Sequence, residues 1–366
     1  MRRLMTVAMI VLAIALGWPA RAEILIGVAG PMTGKDAWPG EQMQRGADLA
    51  VADINEAGGV LGQEARLITV DDSCDPEQAV AAARTLVAQG VLFVVGHYCS
   101  GASIAAAEIY EAAGVVQISP ASSNPLLTEQ GRANVFRVEI RDDVFGTIAG
   151  DYLADHWADQ KIAILHDNTT YGKGVADLTK SQLNKRGVTE AIYEAYVPGK
   201  SDYVAEIAAL QEAAVAVLFV GGYHAEIALM ARAAGDRGYR LQVVTGYPLT
   251  TEEFGLIAGP GSEGTLFLSR LDPRQMPEAA AVVERFRASG FDPEGYTLAT
   301  YSAVQVWAQA AEKAGSLDLQ PMIASLRGHQ FDSVMGPIDF DEKGDKTSQK
   351  LIWYIWRGGQ YMPLEE

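Results

Sequence analysis

The sequence predicts an α/β protein built on parallel sheets, and three observations carry that reading. From Glu23 onward, short β-branched or apolar runs alternate with amphipathic helical stretches. Most of the apolar runs are continuous rather than alternating, as strands are when helices cover both faces of their sheet. Many of the helical stretches stop at Gly or Gly-Gly, the usual left-handed end of a helix.

In order, strands are expected over residues 24–29, 65–70, 91–95, 115–118, 162–165, 215–220 and 241–245, each an apolar run bounded by turn formers. Helices are expected between them over 41–57, 76–89, 103–113, 143–157, 174–186, 203–213 and 225–234, where apolar residues recur at helical spacing. The rhythm changes after Thr265. Two long helical stretches, 277–288 and 297–314, precede a strand-rich tail ending LIWYIWRGGQY, which reads as edge strands completing a sheet with Trp353 and Trp356 as packing aromatics. No Pro/Gly/Ser linker, low-complexity tract or internal repeat interrupts the pattern. Roughly 340 residues at ~150 per domain then make two lobes, each able to build its own core.

The first 22 residues have a different character. Arg2 and Arg3 precede an apolar run over residues 4–16, and Ala20-Arg21-Ala22 follows, which describes a secretory signal cleaved after Ala22. The run is shorter than the ~20 residues that span a bilayer. The mature chain is therefore expected in the periplasm. Cleavage removes three arginines and no acid, taking the formal charge from −17 to −20. A surface so acidic excludes nucleic acid and anionic lipid as partners. In an oxidising compartment the two cysteines, Cys74 in DDSCDP and Cys99 in GHYCSG, are expected to pair as one disulfide.

Enzyme chemistry finds little support. The five histidines lack metal-ligand spacing, and Gly101-Ala102-Ser103-Ile104-Ala105 falls one glycine short of a nucleophile elbow. The first strand leads into GPMTG rather than a dinucleotide fingerprint, and no GxxxxGK[ST] loop occurs. No catalytic residue, cofactor or metal is expected.

Loops at the carboxyl ends of strands supply a different signal, since ligands of parallel α/β sheets bind there. Tyr98-Cys99-Ser100-Gly101 follows one strand and Ser119-Pro120-Ala121-Ser122-Ser123-Asn124 the next, and hydroxyls with N–H groups at helix starts suit a carboxylate. Helix capping explains either loop alone equally well. Tyr171 and Tyr223 occupy comparable places in the second half, where a ring and a hydroxyl can cover an apolar group and fix a polar one.

With these residues in view, the chain resembles the type I periplasmic binding proteins, most closely the Leu/Ile/Val-binding branch serving ABC transporters. The resemblance spans the mature chain and rests on VADINEAGG, DDSCDPEQAV, GHYCSG, SPASSNP, HDNTTYGKG, GGYHAE and MGPIDFDEKGD. It implies two Rossmann-like lobes joined by a hinge of three chain crossings. The N-terminal lobe would hold residues 23–141 and 271–340, and the C-terminal lobe 142–270 and 341–366. It also implies the Cys74–Cys99 bridge, and a ligand carboxylate held by Ser100 and by the Ala121, Ser122 and Ser123 loop. The ammonium would meet the Ala121 carbonyl, the Ser123 hydroxyl and an acid from the second lobe. Tyr171, Tyr223 and Tyr296 match aromatic pocket positions, Trp38 falls beside another, and Tyr98 adds aromatic area.

One position departs from the family pattern. The expected acid after the strand at 241–245 is Tyr247, within Gly246-Tyr247-Pro248. Three explanations stand: Glu252 or Glu253 reaches in, neutral oxygens alone bind the amine, or the ligand lacks an α-ammonium. The resemblance implies a monomeric solute-binding component that delivers a branched-chain or other apolar amino acid to a membrane permease. A non-amino carboxylate ligand, or a ligand-sensing role in signalling, are the alternatives.

Overall fold

The computed structural model describes residues 23–365; the expected signal segment lies outside the described residues. Five strands, β1 (Ile24–Gly30), β2 (Ala65–Asp71), β3 (Phe93–Gly96), β4 (Val116–Ser119) and β5 (Val135–Arg137), form one sheet. Its order is β2-β1-β3-β4-β5 and all its pairings are parallel. The second sheet comprises β6 (Ile162–His166), β7 (Ile192–Ala195), β8 (Val217–Gly221), β9 (Gln242–Thr245), β10 (Leu266–Arg270), β11 (Leu351–Arg357) and β12 (Gln360–Pro363). Its order is β12-β11-β10-β9-β8-β6-β7, parallel except at β11 and β12, which close one edge as an antiparallel pair.

The helices are α1 (Ala37–Glu56), α2 (Pro76–Ala88), α3 (Ser100–Ala113), α4 (Leu126–Glu129), α5 (Asp142–Trp157) and α6 (Thr170–Lys185). They continue with α7 (Val204–Glu212), α8 (His224–Asp236), α9 (Glu252–Ala258), α10 (Ala280–Ala288), α11 (Thr297–Ala314) and α12 (Leu319–Gly328). Strand periodicity decides which helices cover which face. Ile162, Ile164, Val217 and Phe219 belong to the core under α5 and α6, whereas Ala163, Leu165, Leu218 and Val220 face the core under α7, α8 and α9. Burial on both faces is why these strands are apolar throughout.

In the first sheet, Ile26, Val28, Phe93 and Val95 pack with α1, α10, α11 and α12, and Trp307 of α11 stacks on Phe93 with centroids 5.0 Å apart. The other face is covered by α2 and α3. The chain thus leaves the first sheet after β5, returns to cover it after β10, and goes back to the second sheet for β11. Buried ion pairs tie these passages together: Arg137 with Asp345, Arg141 with Asp345 at 2.7 Å, and Arg270 with Glu139.

All seven expected strands form, with ends shifted by at most two residues. β5, β7 and β10 were not anticipated. β5 has three residues and ends on the buried Arg137, β7 is a half-exposed edge carrying Glu194, and β10 ends Ser269-Arg270, so none shows a long apolar run. Three helices start three or four residues earlier than expected, because prolines and glycines in their first turns read as loop; Pro39 and Gly40 lie in α1, and Gly172 and Gly174 in α6. The stretch expected as one helix over 277–288 opens with a 3-10 turn, Pro277–Ala279, before α10. Trp356 is buried against Phe254 and Trp353 packs on Tyr152, as packing aromatics should.

Candidate ligand-binding site

The first wall is built by a knot of small polar residues beneath two strand ends. The His97 carbonyl accepts from the hydroxyls of Ser119 (2.9 Å), Ser122 (3.2 Å) and Ser103 (3.2 Å), and Ser103 and Ser122 share a hydrogen bond of 2.7 Å. The His97 ring lies between Asp72 and the Tyr110 hydroxyl, 3.0 Å from the latter. All these groups are buried, so each must be satisfied internally, and together they fix the β3 and β4 loops rigidly. Ser122 is spent inside this knot. Ser100, Ala121 and Ser123 are left facing outward.

Cys99 caps α3 with extended backbone, which makes Ser100 the first helical residue; its Oγ also accepts the Asn124 N–H at 3.3 Å. Cys74 is bridged to Cys99 with Cα atoms 5.4 Å apart, within the usual disulfide range. The Cys74 loop turns through positive φ at Ser73 and Cys74, and the Asp71 and Asp72 carboxylates accept their two N–H groups at 2.8 Å each.

The second wall is aromatic. Thr169 caps α6 by accepting the Gly172 N–H at 2.9 Å, which sets Tyr171 at the mouth of the helix. A Cβ at Gly172 would lie 2.2 Å from Asp167 Oδ1 and 2.6 Å from the Gly221 carbonyl, so only glycine lets α6 start this close to β8. Tyr223 precedes α8, Tyr247 opens a 3-10 turn after β9, and Tyr296 precedes α11. Tyr98 stands 4.9 Å from Tyr296, edge to face, and 5.6 Å from Tyr223, which is 5.3 Å from Tyr171. Burial pushes the phenols of Tyr98, Tyr171, Tyr223 and Tyr247 well above their ordinary range, so they act as neutral hydrogen-bonding groups.

Eight of the ten ligand-site residues named from the sequence, all but Trp38 and Ser122, line one cavity together with Pro248. It is tight, with about 230 Å³ of unfilled space. Trp38 stands outside it. Its indole N–H donates to Glu294 Oε1 (2.9 Å) and Thr251 Oγ1 (3.1 Å), and its ring packs on Phe291. Trp38 thus joins the two lobes at the rim.

Two further contacts cross the cleft. Lys35 Nζ lies 3.0 Å from Asp36 and 3.1 Å from Glu226, and Asn124 Nδ2 donates to the Thr170 carbonyl at 2.7 Å. The lobes are therefore closed on one another. Around Lys35, burial opposes the charge but Asp36 and Glu226 raise its pKa overall, and burial pushes nearby Asp167 up to about 6.

Neither glutamate weighed as a substitute for Tyr247 reaches the cavity. Glu253 meets His224 Nε2 at 2.7 Å, and Glu252 lies on the far side among Asp272 and Arg274. One buried acid of this region was not singled out from the sequence. Asp142, the first residue of α5, is fully buried, donates its N–H to the Ser123 carbonyl at 2.9 Å, and has no partner for either carboxylate oxygen. Its only signal was a charge-rich run, Glu139-Ile140-Arg141-Asp142-Asp143, where a solvated loop is the ordinary expectation. Among the described residues no cluster of three or more His, Cys, Asp or Glu could hold a metal, and no helix is long and apolar enough to cross a membrane.

Known proteins match this chain over nearly its whole length. The sequence profile of a family described as periplasmic binding protein matches residues 23–360. The chain belongs to that family. A Leu/Ile/Val-binding protein homolog of Brucella suis is 43% identical over 347 residues, covering 94% of each chain. Among solved structures, a leucine binding protein of Thermotoga maritima superposes with a TM-score of 0.84 at 27% identity, covering 93% of this chain and 98% of the other. A branched-chain amino acid transporter substrate binding protein of Streptococcus pneumoniae in complex with isoleucine superposes with a TM-score of 0.84 at 25% identity, covering 94% and 99%. These likenesses place the chain in the two-lobed α/β fold of solute-binding proteins.

Proposed function

We propose that this chain is the periplasmic solute-binding component of an ABC importer, and that it captures a compact apolar amino acid in the cleft and delivers it to a membrane permease. The observation that carries this reading is one cavity lined by Ser100 at the start of α3, Ala121 and Ser123 together with five tyrosines, Tyr98, Tyr171, Tyr223, Tyr247 and Tyr296. Backbone N–H groups at the start of α3 and the Ser100 hydroxyl suit a carboxylate, which the helix dipole also favours. The Ala121 carbonyl and the Ser123 hydroxyl suit an ammonium. The tyrosine rings cover a short apolar side chain.

The lobe division expected from the sequence, 23–141 with 271–340 against 142–270 with 341–366, is supported by sheet membership and by the packing of α10, α11 and α12 on the first sheet. A ligand touching both lobes binds the closed form preferentially, so binding shifts the population towards closure without a chemical step. The permease then distinguishes loaded from empty protein by the relative position of the lobes. Export with cleavage after Ala22, a monomeric state and the absence of turnover belong to the same reading.

A second reading keeps one observation in its favour. Tyr247 is neutral where the family pattern has an acid, which suits a carboxylate ligand lacking the ammonium. A thermal-shift screen of amino acids against matched keto, hydroxy and des-amino acids separates the two, because a ligand that binds the native state raises the Tm. The amino-acid reading expects L-valine or a similar residue to stabilise the protein more than its des-amino partner; the reverse order would sink it.

A further inference from the structure

We propose that Glu294, just before α11, is the positioning residue that ties closure of the cleft to Tyr296 in the cavity, through its hydrogen bonds to Thr251 and Glu252 on the opposite side. The assignment rests on the reading that ligand binding closes the cleft, and it names the side chain through which closure and binding act on each other.

The contacts of one carboxylate carry it. Glu294 Oε2 accepts the Glu252 N–H at 2.7 Å, and Oε1 accepts the Thr251 hydroxyl at 2.7 Å and the Trp38 indole N–H at 2.9 Å. α11 packs on the first sheet and α9 covers the second, so the bonds to Thr251 and Glu252 cross from one layer to the other. Gly295 adds a third crossing, donating its N–H to the Thr250 carbonyl at 3.1 Å. Glu294 is only 4% exposed, and a carboxylate buried so far is tolerated where donors replace its water. Two of its three short bonds come from across the cleft. Opening therefore exchanges them for water.

Both ends of this junction lead into the cavity. Tyr296 lies two residues after Glu294, and the buried Gln42 holds the two together: its Oε1 accepts the Tyr296 N–H at 3.1 Å and its Nε2 donates to Glu294 Oε1 at 3.4 Å. Gly295 between them has a φ of 59°, and a Cβ there would lie 2.1 Å from Gln42 Oε1, so glycine is required at this turn. The Gly295 carbonyl is fixed in turn by Arg270 Nη2 at 2.8 Å. On the opposite side, the N–H and hydroxyl of Thr250 donate to the Tyr247 carbonyl at 3.3 Å and 3.2 Å. Tyr247 and Tyr296 both line the cavity. A ligand seated against these rings favours the arrangement in which Glu294 meets α9, and that contact in turn holds the rings on the ligand.

A double-mutant cycle on ligand release tests this, using L-valine, or isovalerate where that is the acid bound. Stopped-flow fluorescence should show release about tenfold faster or more from Glu294→Gln and from Thr251→Val, the scale of a hydrogen bond to a charged group. The double variant should release within about threefold of the faster single variant, because both act through one contact. Thr251→Ser keeps the hydroxyl and should release as wild type does. In the ligand-free protein, where the contact is open, the Tm shifts of the two single variants should add. The threonine pair keeps the test standing if Glu294→Gln fails to fold. Release unchanged in the single variants, effects that multiply in the double variant, or equal coupling in the ligand-free Tm would each overturn the assignment alone. Wild type whose radius of gyration in X-ray scattering does not shrink on ligand addition would overturn the closure reading, and the assignment with it.

Discussion

Lys35 of the first lobe holds Glu226 of α8 at 3.1 Å and Asp36 at 3.0 Å, so one ammonium bridges two buried carboxylates that would otherwise face each other across the cleft. Lys35→Met removes the bridge and leaves the like charges. Its side chain is about two-fifths exposed, so the pair is worth about 1 kcal/mol or less. The variant should loosen ligand binding about fivefold, mainly by faster release, and X-ray scattering of the ligand-free protein should show a larger radius of gyration. An unchanged radius and unchanged release would remove Lys35 from closure.

Ser100 stands where a carboxylate meets the start of α3. Replacing it by Ala should cost roughly 1.5–3 kcal/mol of affinity, the scale of a hydrogen bond to a charged group, which is about 10- to 150-fold in Kd. Isothermal calorimetry with L-valine reads this directly.

Asp142 links pH to stability. Its folded pKa, about 7, lies above that of an ordinary aspartate, so the folded protein holds the proton more tightly than the unfolded chain. Stability of the ligand-free protein should then fall as pH rises from about 4 to about 7, while Asp142 gives up that proton. Asp142→Asn should remove this contribution and melt higher than wild type at pH 8, with little difference at pH 4. A melting profile with pH that is identical for the two proteins would refute it.

The Cys74–Cys99 bridge closes a loop with a sequence separation of 25. Cys74→Ser with Cys99→Ser should lower unfolding free energy by about 3 kcal/mol, measured in urea. Alkylation of denatured, unreduced wild type should find no free thiol.

Tyr98 touches Tyr223 and Tyr296 and fills space that a longer ligand side chain would need. Tyr98→Ala should raise the affinity for L-leucine relative to L-alanine, read as the ratio of the two Kd values. A ratio that does not move would place the side-chain pocket elsewhere.

Most of the scaffold was legible because both faces of the strands are covered, which writes long apolar runs into the chain. The missed strands were short or ended on charge, and only tertiary pairing made them strands. For the site, Ser100, Ala121 and Ser123 were visible as small polar residues at strand ends, and the tyrosines as aromatics in comparable places. Ser122 was read as a ligand residue because nothing in SPASSNP tells which hydroxyl turns inward; the His97 carbonyl decides it. Trp38 was placed one step too far into the pocket, since its partners Thr251 and Glu294 are distant in sequence. The burial of Asp142 was not legible, because a carboxylate in a charged run looks solvated until tertiary packing covers it.

The stacking of Trp307 on Phe93 sets an order of events as well as a contact. The strands of the first sheet leave the ribosome early, but one of their apolar faces waits for α11, encoded far downstream. A chain truncated before Thr297 should accordingly remain protease-sensitive across residues 24–137. The leading lobe therefore cannot lock until most of the chain has been synthesised.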